Sequence, residues 1–176
     1  MRTNKKTDIL DVIVEIIEES GVAGVTYDAV ATRSGMSKSG LIYHFPSREE
    51  MIHDVHEHMA QCWEQRLLDA VRDDDADDVA TKLRANLAVS KNAATRAELM
   101  MTIDASSDPQ MYSIWADKLD QWTCSPENIT TDEQACRAYL VQLIADGLWA
   151  HDYINGRHLT TKQREALAQA AANLIP

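Results

Sequence analysis

The chain has 176 residues and carries 17 Lys and Arg against 28 Asp and Glu, a formal net charge of −11. Its 45% hydrophobic content is enough to bury a core and excludes a disordered chain, while no uncharged apolar run is long enough to span a membrane. Net acidity argues against a generic polyanion binder, and three cysteines without a C-x-x-C pair (Cys62, Cys124, Cys136) fit a reducing cytoplasm.

Only 6 Gly and 4 Pro interrupt long 3.6-residue periodicities, which predicts an all-α protein. The first helix is expected from about Asn4 to Glu19, with Ile9, Val12, Ile13, Ile16 and Ile17 on one face. Asp8, Asp11 and Glu15 break this stretch, so it is not a signal peptide. Ser20-Gly21 ends it. Thr26 reads as the N-cap of a short second helix reaching Ser34, and Gly35 supplies a turn. Ser37 caps a third helix that stops at Phe45-Pro46. Ser47-Arg48-Glu49-Glu50 is a capping box opening a long fourth helix. Its inner stripe is Met51, Ile52, Val55, Met59, Cys62 or Trp63, Leu67 and Ala70.

The run Arg72–Asp78 predicts a solvated turn in which one of the later aspartates caps the next helix. Further helices are expected over Val79–Lys91, Ala94–Ala105 and Pro109–Gln121. Thr131-Asp132-Glu133-Gln134 predicts a capping box for a helix to Tyr153, ended by Asn155-Gly156. A last helix covers Thr161–Leu174. The best domain boundary lies near Ser47, giving an N-terminal three-helix domain over 1–46 and a C-terminal helical domain over 47–176.

Residues 26–45 have the layout helix, tight turn, helix. Leu41 and Ile42 can anchor the second of these helices in a core, leaving Lys38, Ser39, Gly40, Tyr43 and His44 for outside contact. This is the helix-turn-helix arrangement, whose second helix enters the DNA major groove. No acidic residue lies between Ala29 and Arg48, whereas Arg33, Lys38 and Arg48 are basic, and Arg2, Lys5 and Lys6 form a second basic cluster. Residues 1–50 hold 6 basic and 8 acidic side chains. The acidity therefore confines DNA to one narrow basic face and predicts weak, strongly salt-dependent nonspecific binding.

Thr26-Tyr27-Asp28-Ala29-Val30-Ala31, followed by Ser34-Gly35-Met36-Ser37-Lys38-Ser39-Gly40-Leu41-Ile42-Tyr43-His44-Phe45, resembles the signature of TetR-family transcriptional regulators. Arg48 stands where that family usually has Lys. The resemblance implies that Ser37 caps the recognition helix and that Lys38, Ser39 and Gly40 lie nearest the base edges. It further implies that Tyr27, Tyr43 and His44 hydrogen-bond phosphates and that Arg33 and Arg48 add charged phosphate contacts. Phe45, the only Phe, is expected in the core. Leu99–Trp115 and Tyr139–Tyr153 are similar to actinobacterial multidrug-responsive members that repress an efflux gene.

After Ser47 lie all four Trp and five of the seven Met, types that build adaptable apolar cavities. The residues expected to bind a small-molecule effector are Trp63, Met100, Ile103, Asp104, Met111, Trp115, Asp146 and Trp149. Aromatic faces beside a carboxylate suit a lipophilic cation. In the family plan, an effector shifts the long fourth helix and with it the spacing of two recognition helices. Half-sites about one helical turn (~34–36 Å) apart, or a multiple, would match a C2 homodimer on a palindromic double-stranded operator. Tyr139, Leu140, Leu143, Ile144 and Leu148, with Leu167, Ala170, Ala171 and Leu174, could form the intersubunit bundle.

Two alternatives stay open. The effector could be an endogenous acyl thioester or signal molecule, or His53 and His56, at i, i+3, could make the protein a metal sensor. No G-x-S-x-G, Walker loop, H-E-x-x-H or G-x-G-x-x-G is present, so neither an enzyme nor a cofactor is expected. His151-Asp152 fits a helix end better than a general base.

Overall fold

The computed structural model describes residues 5–71, 75 and 77–176. Arg2 and Asn4, and Arg72, Asp73, Asp74 and Ala76 of the aspartate run, lie outside the described residues. Among the described residues there are nine α-helices and no strand. They are α1 (Lys5–Ser20), α2 (Tyr27–Ser34), α3 (Lys38–His44), α4 (Arg48–Val71), α5 (Val79–Ser90), α6 (Arg96–Ser106), α7 (Pro109–Leu119), α8 (Glu133–Asn155) and α9 (Thr161–Ala172). Short 3-10 turns cover Val22–Gly24 and Asp120–Trp122.

Single side chains set most helix ends. Thr26 Oγ1 accepts from Ala29 N at 3.1 Å, and Ser37 Oγ from Gly40 N at 3.1 Å, as expected of N-caps. Gly35 (φ 68°) and Gly156 (φ 60°) stop α2 and α8 in the left-handed region. Asp78 caps α5, and hydrogen bonds from Thr81 hold its carboxyl below the usual range. Other ends differ from expectation. α6 starts after Ala94 because Thr95 and Glu98 form a reciprocal capping box. At α8 the cap is Asp132 and not Thr131, since the Asp132 carboxylate accepts from Gln134 N and Ala135 N. Thr160 and Gln163 form an unforeseen box at α9. α7 ends at Leu119, where the chain tightens into the 3-10 turn.

The chain divides into two compact units, residues 1–61 with 95–116, and residues 62–94 with 117–176. In the first, Ile9, Ile13 and Ile17 of α1 pack with Val30, Leu41, Phe45, Met51, Val55, Ala97 and Met101. Phe45 is fully buried. Ile42, expected beside Leu41 in this core, is instead 47% exposed. The two positions are about 100° apart on a helix of 3.6 residues per turn, so in the seven-residue α3 only Leu41 turns inward.

α1 and α6 cap each other. The Glu18 carboxylate accepts from Arg96 N (3.2 Å) and Ala97 N (2.7 Å), the first amides of α6. In return Arg96 Nη1 donates to the carbonyls of Glu18 (3.1 Å) and Glu19 (2.8 Å) at the end of α1. Each helix thereby satisfies terminal groups that neither could satisfy alone. Gly21 (φ 74°) lies alongside, where an added Cβ would fall 2.8 Å from Met100 Cε.

In the second unit α5, α8 and α9 pack against one another. The contact is made by Leu83, Leu87, Ala138, Val141, Ala145 and Ala171, whose small residues allow close approach. Leu67, Val71, Ala85 and Val89 surround Trp122, and Asn86 Nδ2 donates to the Trp122 carbonyl at 2.8 Å. On the α4 stripe Trp63, half-buried, takes the inner place and Cys62 is exposed. A buried ion pair secures the turn from α8 to α9. Arg164 Nη2 donates to Asp152 Oδ1 (2.5 Å) and its Nη1 to the Leu148 carbonyl (2.8 Å). Burial alone would raise the Asp152 carboxyl, but Leu159 N–H, Arg164 and His158 hold it below the usual range.

Candidate nucleic-acid interface and effector residues

α2, Gly35 and α3 form the expected helix-turn-helix, with Leu41 pinning α3 to the core. The outer face of α3 carries Lys38 and Ser39, both exposed, and Tyr43, 84% exposed, whose ring stands edge-on to His44. Ser37 Oγ, already the cap, lies 3.1 Å from Ser39 Oγ. A Cβ at Gly40 would fall 3.2 Å from both Met36 Cε and Ser37 Oγ, so an alanine there would press on the cap itself.

The other expected DNA contacts have partners inside the domain. Tyr27 OH donates to the Phe45 carbonyl at 2.5 Å. Arg33 is forked onto Glu19 and also bonds Glu15 at 3.2 Å. The hydrogen bond from Arg33 pulls the Glu19 carboxyl below its usual range. Arg48 donates from Nε to the Val25 carbonyl (2.9 Å) and from Nη2 to that of Val22 (2.8 Å). Lys38 Nζ is 3.0 Å from Asp28 Oδ1, but both side chains are largely exposed. An ion pair that open to water is weakly held and can be exchanged for a phosphate.

The residues expected to bind an effector separate between the units. Met100, Ile103, Asp104, Met111 and Trp115 belong to the first, where His56, fully buried, links two of them. Trp115 Nε1–H donates to His56 Nδ1 at 2.9 Å. Nδ1 must therefore keep its lone pair, the ring proton sits on Nε2, and Nε2–H donates to Asp104 Oδ2 at 3.1 Å. Desolvation lowers the His56 pKa, with Asp104 opposing it. Met100 and Trp115 pack against the first core, Met111 is half-buried and Ile103 is 67% exposed.

Trp63, Asp146 and Trp149 belong to the second unit. The two indoles meet edge to face at 5.2 Å between ring centres, and the Arg66 guanidinium lies 4.8 Å from the centre of Trp63. Gln142, unremarked in the sequence, is one turn before Asp146 and donates Nε2–H to its Oδ1 at 3.1 Å. That bond orients the amide and leaves Gln142 Oε1 buried with no protein partner. Asp146 reaches the surface, yet enough protein surrounds it that desolvation pushes its carboxyl above the usual range.

Residues 9–55 match the bacterial regulatory proteins of the tetR family, and residues 79–176 match the tetracyclin repressor-like C-terminal domain. The chain belongs to the TetR family. No curated protein matches it. Among solved structures it is similar to a transcriptional regulator from Rhodococcus sp. Rha1, at 18% identity and a TM-score of 0.71, with 98% of this chain and 96% of that one covered. It is also similar to a transcriptional regulator from Saccharomonospora viridis in complex with choline (16% identity, TM-score 0.63, covering 97% and 94%). A third is the multidrug binding protein EbrR complexed with imidazole (17%, TM-score 0.58, covering 96% and 88%). These likenesses establish the shared fold.

The metal pair considered from the sequence of this TetR-family regulator is His53 and His56. Both ring nitrogens of His56 are engaged, so a metal there would have to displace Trp115 or Asp104. The ligand atoms that do gather, among the described residues, are those of His53, Asp54 and Glu57, within 4.8 Å of one another. Lys6 Nζ already sits 2.6 Å from Asp54. His58 points elsewhere, with Nε2 2.8 Å from Asp11. Among the described residues no helix is long and apolar enough to cross a membrane.

Proposed function

We propose that this TetR-family regulator is a homodimeric repressor released from a palindromic operator by a lipophilic cation. Residues 1–46 form its DNA-binding domain and 47–176 its effector and dimerisation domain. Lys38, Ser39 and Gly40 face the bases from a helix capped by Ser37, and Tyr43 and His44 bind phosphate. The observation that carries the effector reading is the row Gln142, Asp146, Trp149 on α8. The polar atoms it offers a ligand include two acceptors, the buried Gln142 Oε1, which lacks any donor, and the Asp146 carboxylate, and its apolar part is an indole pair. A ligand that completes it supplies N–H donors or positive charge with apolar bulk. An anionic acyl thioester would meet the Asp146 carboxylate there, although the Arg66 guanidinium also lies beside Trp63. The choline and imidazole complexes of two similar structures agree with a small nitrogenous ligand, and the regulated gene is then one that disposes of such cations, an efflux gene.

Calorimetric titration with tetraphenylphosphonium tests this. Binding is expected for the wild type, and Asp146→Asn should weaken it at least about tenfold, the loss of one charge-assisted contact. Binding of a short-chain acyl-coenzyme A in place of the cation would transfer the protein to the metabolite-sensing class.

The dimer reading rests on the apolar face left open on α8 and α9. Leu140, Leu143, Leu167 and Leu174 are exposed there, beside a groove lined by Ile144, Gly147, Leu148 and Ala170. So large an uncovered patch is unusual on a chain that stays alone.

A further inference from the structure

We propose that Arg48 is a positioning residue for DNA binding, fixing the recognition helix from inside the domain instead of meeting a phosphate. The proposal rests on the DNA-binding reading above but concerns a residue whose charge suggests the opposite role. As the first residue of α4, Arg48 spends two nitrogens of its planar fork on the carbonyls of Val22 and Val25, at 2.8 and 2.9 Å. Val25 is fully buried and directly precedes Thr26, the cap of α2. Three residues before Arg48 in the chain, at Phe45, lies the other half of the joint. Tyr27, the first residue of α2, donates its hydroxyl to the carbonyl of Phe45, whose own N–H closes α3 on Leu41.

Three hydrogen bonds thus tie residues 22–27 to residues 45–48, and α3 lies in the loop they close. The C-terminal end of the recognition helix is held to the start of α2, and the start of α4 to the turn that precedes the α2 cap. Swinging the whole side chain out to a phosphate would break both bonds, one of them to the carbonyl of a residue with no exposed surface. Charge-assisted bonds of this kind are stronger than neutral ones, and a guanidinium holds two acceptors in a fixed geometry that an ammonium does not reproduce.

The test separates charge from position. A duplex selected from a random pool by the wild-type protein is labelled, and its affinity is measured by anisotropy across a salt series. Each phosphate contact removed lowers the log–log salt slope by about 0.9, or roughly 1.8 for a dimer. Arg48→Ala and Arg48→Gln should bind about tenfold or more weakly at every salt concentration, with the wild-type slope. Lys38→Ala, at the exposed contact, should flatten the slope. If the Arg48 variants flatten it as Lys38→Ala does, or bind as tightly as wild type, the proposal fails.

Hydrogen exchange of the DNA-free protein gives a second arm. Arg48→Gln should speed exchange of the first hydrogen-bonded amides of α2, Ala29 and Val30, and unchanged exchange would equally overturn the proposal. Failure to enrich any duplex would count against the DNA-binding reading, while this arm would still decide the role of Arg48.

Discussion

At the scale of residues, buried partners decide which side chains can act. Tyr43 is the most exposed large side chain on α3 and has no part in the core. Tyr43→Ala should leave the melting temperature nearly unchanged and weaken operator binding about tenfold, the size of one lost phosphate contact; equal affinity in a folded variant would remove Tyr43 from the interface. His56 makes a different kind of prediction. Its Nδ1 accepts from Trp115, so protonation destroys that bond. Because its folded pKa is depressed, its contribution is complete above the unfolded value near 6.5 and is lost as pH falls from there toward the folded value. Thermal melts between pH 8 and 5 should show that loss, and His56→Gln should lack it. The residues of the helix-turn-helix were legible because caps, glycine and turn follow local rules. The destinies of Arg33 and Arg48 were not. Their partners lie 14 to 26 residues away, at Glu19, Glu15, Val25 and Val22, and charge patterning says nothing about a carbonyl as acceptor. Gln142 was missed for the same reason, since an amide in an apolar helix carries no local signal until its oxygen is found without a donor.

At the scale of elements, ends matter more than middles. The existence and order of the helices followed from periodicity, and errors gathered at boundaries where two candidate caps adjoin, as with Thr131 and Asp132. The mutual capping of α1 and α6 could not be foreseen, because Glu18 and Arg96 are 78 residues apart. The turn from α8 to α9 depends on one buried pair. Arg164→Ala leaves the Asp152 carboxylate with Leu159 N–H and His158 alone and the Leu148 carbonyl without the Arg164 donor, and should cost up to about 3 kcal/mol in urea unfolding. Asp152, with its pKa depressed, contributes stability that is full above the ordinary carboxylate value and fades as pH drops through the lowered one. That acid step should be smaller in Arg164→Ala, which keeps the Leu159 and His158 bonds. A variant as stable as wild type would show that the pair is dispensable.

At the scale of the whole molecule, the net charge of −11 takes on a second meaning. The basic residues expected to face DNA are mostly spoken for, Lys6 by Asp54, Arg33 by Glu15 and Glu19, and Arg48 by carbonyls. The carboxylates that hold Arg33 are open to water, as is the partner of Lys38, so both cations can be exchanged for phosphate and the salt dependence stays strong, while Arg48 adds little to it. The open apolar face on α8 and α9 predicts twice the chain mass in light scattering at micromolar concentration. Leu143→Glu, which sets a charge in that face, should return the mass to that of one chain; a wild type that scatters as a single chain would refute the dimer. The placement of the indoles has a practical consequence. Trp115 alone belongs to the first unit and is hydrogen-bonded to a titratable ring, whereas Trp63, Trp122 and Trp149 belong to the second. Trp115→Phe would silence the first unit optically, and the difference between its emission and that of the wild type would isolate events near His56. The regulator thus carries its own fluorescent reporters, one indole in the first unit and three in the second, with no dye attached.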